Sequence, residues 1–107
     1  MQQYKGIAVS PGVCKSKARI IEDEKDFEKV ESGDIIVVYR SSPGWIIPLM
    51  NAGGMICEIG GAFSHIGILC RELSKPCVSG VPDIYSIIKD NNIISIDGTL
   101  GEIQIYE

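Results

Sequence analysis

Five residues in unbroken apolar succession, Ile35-Ile36-Val37-Val38-Tyr39, follow Gly33-Asp34 and constrain this chain more than any other stretch. Strand side chains alternate between two faces, so a run without polar alternation reads as a central strand covered on both sides. The rest of the chain must supply those covers. Residues 7–9 form a short strand stopped by the turn signal Ser10-Pro11-Gly12. Residues 13–21 alternate, with Cys14, Ser16, Ala18 and Ile20 on one side and Lys15, Lys17 and Arg19 on the other, as in a half-buried strand. Residues 55–58 and 77–79 are brief strands, and 93–97 pairs with 102–106 as a hairpin across Gly98-Thr99-Leu100-Gly101.

Helical spacing occurs between these strands. Residues 22–31 are charged and solvated, with Phe27 and Val30 spaced to anchor a short helical turn. Pro43-Gly44-Trp45 opens a short helix to about Ala52, with Pro48 a local irregularity. Residues 64–73 place Ile66, Leu69, Cys70 and Leu73 on one face and Arg71 and Glu72 toward water, before Lys75-Pro76 ends the helix. A last short helix spans 83–89. Strands dominate, and helices enter after strand-and-glycine breaks. The pattern predicts one β-rich α/β domain over residues 1–107, with its short helices on one side.

Composition narrows the function. The net charge of −4 offers no broad basic surface, which argues against nucleic acid as a partner. No apolar run is long enough to span a bilayer, and the opening MQQYKGIAV lacks the pattern of a secretory signal. A cytoplasmic protein without a membrane partner is the expectation. Cys14, Cys57, Cys70 and Cys77 form no C-x-x-C pair, and their spacing fits no zinc framework, so plain reduced thiols and no metal are expected.

His65 is the single histidine, and it follows Gly60-Gly61-Ala62-Phe63-Ser64 at the mouth of the 64–73 helix. Ser64 is a natural N-cap, which leaves His65 in the first turn. A helix start offers unpaired N–H groups and partial positive charge, and Gly60 and Gly61 admit close approach of backbone, so the place suits phosphate. A neutral imidazole already carries a free lone pair and needs no helper base to attack phosphorus. The combination points to a residue that accepts a phosphoryl group. The plainer alternative is a polar surface residue behind an ordinary turn. No G-x-x-x-x-G-K-[ST] loop is present, and only Glu58, Arg71, Glu72 and Lys75 are charged around the motif. An acceptor without a nucleotide pocket must collect phosphate at one site and deliver it at another, as a carrier does.

The full run Gly60-Gly61-x-x-Ser64-His65-x-x-Ile68-x-x-Arg71-Glu72-Leu73-x-x-Pro76-x-Val78-x-Gly80 resembles the phosphohistidine signature of the mobile domain of phosphoenolpyruvate-utilising enzymes. That family includes phosphoenolpyruvate synthase, pyruvate phosphate dikinase, enzyme I of the sugar phosphotransferase system and rifampin phosphotransferase. Ser10-Pro11-Gly12, Gly33-Asp34-Ile35 and Asp97-Gly98 with Gly101 extend the likeness over essentially the whole chain. The resemblance implies a swivelling β/β/α domain. His65 would be the phosphorylated residue, Gly60, Gly61 and Ser64 its loop and cap, and Arg71 a basic group along the helix or a structural ion-pair partner. It also implies nucleotide-binding and phosphoenolpyruvate- or pyruvate-binding partner domains. Mg2+ and ATP or phosphoenolpyruvate would be held there, and no cofactor by this domain.

Three departures stand out. Phe63 replaces the threonine that many members carry two residues before the histidine. Ile66-Gly67 and Cys70 replace small helix residues, and Gly67 should weaken the helix by up to ~1 kcal/mol relative to alanine. Ser16-Lys17 stands where glycine is common after the opening turn. The rival readings are a docking or regulatory module that keeps the fold without transfer, and a metal site built from His65 and cysteines.

Overall fold

The computed structural model describes residues 1–61 and 64–106. Eight strands are joined edge to edge in the order β1-β8-β7-β3-β4-β5-β6-β2. The central strand of the sequence analysis is β4 (Ile35–Arg40), paired in parallel with β5 (Gly54–Ile59), which is parallel in turn to β6 (Cys77–Ser79). β2 (Ile7–Ser10) closes that edge antiparallel to β6. β3 (Val13–Ile20) serves both halves: Val13–Lys17 pair antiparallel with β7 (Ile93–Asp97), and Ala18–Ile20 pair in parallel with β4. β8 (Glu102–Ile105) and β1 (Gln2–Lys5) complete the antiparallel half.

Alternation along β4 explains the layering. Ile35 and Val37 lie in one buried cluster with Ile56, Val78 and the β7–β8 residues Ile94, Ile96, Ile103 and Ile105. Ile36 and Val38 lie in a second, with Met55, Cys57 and Cys77 and the helix residues Leu49, Ile66 and Cys70. The antiparallel half is thus folded across one face of the parallel strands, and α1 (Ile46–Asn51) and α2 (His65–Glu72) cover the other. This is the expected β/β/α arrangement. Close approach of the two β layers needs Gly54: a Cβ there would sit 2.7 Å from Ile96 Cδ1.

Local chemistry accounts for the remaining elements. Residues Glu24–Lys29 form a 3-10 turn capped by Asp23, whose carboxylate accepts from Lys25 N–H at 2.9 Å, and Phe27 and Val30 pack onto the helix-side cluster as expected. The 43–52 helix is a 3-10 turn, Pro43–Trp45, leading into α1. No helix among the described residues is long and apolar enough to cross a membrane.

The fold corrects the sequence reading in four places. β1 is a strand of polar residues that only its pairing with β8 reveals. Tyr39 is exposed, so the two-sided cover of β4 ends at Val38. Arg19, read as solvent-facing, is buried because its Nε donates to Asp34 Oδ2 at 3.0 Å, an ion pair whose carboxylate also accepts from Glu31 N–H at 2.9 Å. α3 (Ile84–Ile87), read within 83–89 and on the side of the other helices, packs Ile84 and Ile88 into the β-layer cluster instead.

Ile96 is 2 % exposed at the contact of the two β layers, whereas Val13 on the same sheet is 74 % exposed. Urea unfolding should therefore show Ile96→Ala less stable by about 2–5 kcal/mol, and Val13→Ala within about 0.5 kcal/mol of the parent. Equal losses would contradict the layered packing.

Candidate functional site

Three parallel strands end along one edge of the sheet, and the chain leaves β5 there through Gly60 and Gly61. Ligands in open parallel sheets gather at such carboxyl ends. Ser64 caps the returning helix α2: its Oγ accepts from Gly67 N–H at 3.2 Å, its carbonyl accepts from Ile68 N–H at 3.0 Å, and its own N–H donates to the Gly61 carbonyl at 3.1 Å. His65 is then the first helical residue, and its side chain is exposed. Helix geometry leaves the first-turn amides of His65 and Ile66 without intrahelical acceptors, directed at the same space. The exposed imidazole thus stands at the positive end of the helix. Gly67, counted above as a weakness of the helix, is buried, and its N–H completes the cap.

The loop is fixed from below. Ser79 Oγ on β6 donates to the Gly60 carbonyl at 3.3 Å, and Cys57 Sγ donates to the Ile59 carbonyl at 3.1 Å. Apart from its chain neighbours, no described residue lies within 4 Å of where a Gly61 Cβ would stand, so the space above it is open among the described residues. Burial pushes the Cys57 thiol up to about 11. That thiol stays protonated near neutral pH and is a poor nucleophile there.

Arg71 does not join the imidazole. Six residues along a helix turn the side chain about 240° and carry it about 9 Å away. Its Nη1 instead donates to the Val9 carbonyl at 2.6 Å, fastening α2 to the edge strand β2. The expected acidic partner is replaced by a backbone oxygen. Lys75 Nζ donates to the Ala52 carbonyl at 2.7 Å, and Glu58 Oε1 accepts from Tyr85 N–H at 2.9 Å. Three of the four charged groups around the motif are therefore engaged in holding the fold. Phe63, the departure at the threonine position, lies outside the described residues. All four cysteines are free thiols, and among the described residues no three His, Cys, Asp or Glu side chains converge as metal ligands. Sequence reasoning missed Ser79, whose segment reads only as a strand; a hydroxyl one residue before Gly80 was the available signal.

Residues 30–101 match the sequence profile of the PEP-utilising enzyme mobile domain. The chain belongs to this family. A probable phosphoenolpyruvate synthase of Methanothermobacter thermautotrophicus is 35% identical over 96% of this mobile domain, which spans 15% of that relative. Rifampicin phosphotransferase of Bacillus subtilis is 36% identical over 94% of it, spanning 12% of the relative. The chain thus corresponds to one small part of much longer proteins. The fold recurs in a solution structure of Enzyme I (nEIt), with a TM-score of 0.64 and 22% identity, covering 74% of this chain and 33% of that one. It recurs also in Thermococcus kodakaraensis aconitase X, with a TM-score of 0.73 and 17% identity over the whole of both chains.

Two substitutions separate cap from loop. Ser64→Ala removes the bond to Gly67 and should lower stability by about 1 kcal/mol in thermal or urea unfolding. Gly61→Ala meets no described residue apart from its chain neighbours and should stay within about 0.5 kcal/mol of the parent. A Gly61 variant as damaging as the Ser64 variant would refute this account of the loop.

Proposed function

We propose that this mobile domain is a phosphoryl carrier in which His65 is transiently phosphorylated. One ring nitrogen gives its lone pair to phosphorus while the P–O bond of the donor breaks and its electrons leave with the donor oxygen. The N–P bond is broken in turn when an acceptor oxygen attacks. The observation that carries this reading is the exposed imidazole at the N-terminus of α2, held behind a capped glycine loop. First-turn amides and the helix dipole favour the added negative charge, an effect of about 0.3–1 kcal/mol at an exposed helix end. Ser64 sets the ring's position and Gly60 and Gly61 give the phosphoryl group room. Arg71 acts at a distance, by seating the helix.

Donor and acceptor sites belong on partner domains. One binds a nucleotide and the other phosphoenolpyruvate, pyruvate or a comparable acceptor, with Mg2+ and ATP or phosphoenolpyruvate held there and no cofactor on this chain. Such a division suits a chain with its own two-layer core that matches only 12–15% of two long relatives. Residues 1–107 act as a single carrier domain in the cytoplasm.

The test combines the chain with the nucleotide-binding and phosphoenolpyruvate-binding parts of a related synthase, Mg2+ and ATP or phosphoenolpyruvate. Intact mass should rise by one phosphoryl group that is labile in acid and stable in base, and His65→Ala should abolish the gain while unfolding within about 0.5 kcal/mol of the parent. Unchanged labelling of that variant would move the acceptor elsewhere. No labelling from any donor would overturn the carrier in favour of a docking module.

A further inference from the structure

A second feature occupies the same edge of the sheet, on the β3 side of the histidine loop. Past the end of β4 lies an open cleft of about 600 Å3, walled by Tyr39, Trp45 and Tyr85. That volume is ample for a small organic ligand. Tyr39 and Tyr85 meet edge to face with centroids 6.0 Å apart, and Trp45 is steadied by Phe27 at 5.8 Å and by donation from its Nε1 to the Arg40 carbonyl at 2.9 Å. Tyr85 OH is also used, donating to the Ile21 carbonyl at 3.3 Å. The walls are therefore aromatic surfaces, with the Trp45 N–H and the Tyr85 hydroxyl already engaged.

The unspent polar groups identify the ligand. Arg40 lines the cleft with Ser41 and Ser42, and among the described residues none of the three side chains makes a hydrogen bond or ion pair. The guanidinium rests 5.4 Å from the Tyr39 ring centroid, which leaves its N–H fork for an anion. Glu22 also brings a carboxylate into the lining, and the neighbouring depression holds Asp26 and Asp90, both engaged by Lys29. Arg40 is the one cation among the described lining residues, so a single anionic group has a partner there and a second has none. We propose that this cleft binds a small monoanion bearing an aromatic ring, an arylacetate in its simplest form. Its ring lies against Trp45 and the tyrosines and its carboxylate is gripped by Arg40 and the serine hydroxyls. Ring stacking and a forked guanidinium–carboxylate pair are each directional, so the site selects for both groups together.

The inference goes beyond the carrier reading and does not depend on it, since neither His65 nor a partner domain takes part. Trp45 is the chain's only tryptophan, which makes it a private reporter. The whole chain is titrated with phenylacetate, 2-phenylethanol, acetate and phenyl phosphate at pH 8, following Trp45 emission and its indole N–H resonance. Phenylacetate should saturate with a Kd at least about tenfold below each of the others, a margin of about 1.4 kcal/mol. Arg40→Gln, which leaves the backbone carbonyl that holds Trp45, should raise the phenylacetate Kd to that of the alcohol and leave the alcohol unchanged. Arg40→Lys keeps the charge without the fork and should lie between, which secures the test if the glutamine variant folds poorly. Equal binding of alcohol and acid, tighter binding of phenyl phosphate, or Arg40 variants that bind phenylacetate as the parent does would each overturn the proposal. So would binding of phenylacetate that never saturates.

Discussion

Ile35, Ile36, Val37 and Val38 of β4 are all withdrawn from water, two side chains on each face of the sheet. Each such side chain contributes about 1.5–3 kcal/mol when fully buried, and that gain is lost unless both faces are covered. The antiparallel half of the sheet supplies one cover and the helices α1 and α2 the other. Helices on a face of parallel strands must return the chain to the bottom of the sheet before the next strand begins. That return forces a loop at the top of β5, and the histidine opens the helix that follows it. The position of His65 is in this sense a consequence of how β4 is buried.

The site is held by small, separate contacts that, among the described residues, leave the ring without a hydrogen bond. Ser79 ties the loop to β6, Ser64 closes the helix start, and Arg71 pins the helix to β2 through the Val9 carbonyl. Each of these fixes backbone, and none has been recruited to stabilise charge on the imidazole. The electrostatic help comes from amides and the helix dipole, which are part of the fold. The same architecture recurs in aconitase X at 17% identity, so the layers alone do not say what the domain does.

Much of this was legible in the residues, because apolar runs and glycine breaks are local signals. The 35–39 run named the central strand, and Ser64 named the cap that places His65. The unread parts depend on partners distant in sequence. β1 is polar and becomes a strand only because β8 offers it hydrogen bonds; Arg19 is buried only because Asp34 meets it fifteen residues later. α3 joins the β-layer cluster through Ile84 and Ile88, whose spacing reports an apolar face but not which side of the sheet will receive it. Arg71 reads as a charge near an anion site, and only the fold reveals the Val9 carbonyl beside it. Periodicity can tell that a side chain is buried or charged; it does not tell what it meets.

The central claim is that the His65 ring is an accessible nucleophile presented by the helix start, before any partner takes part. Treatment of the isolated chain with phosphoramidate, a small phosphoryl donor that needs no enzyme, tests it most directly, with the product followed by 31P resonance and mapped by fragmentation. The account expects a single phosphohistidine at position 65, formed in the folded state. A ring that stays unmodified while the chain is folded and reacts only once it is unfolded would contradict it.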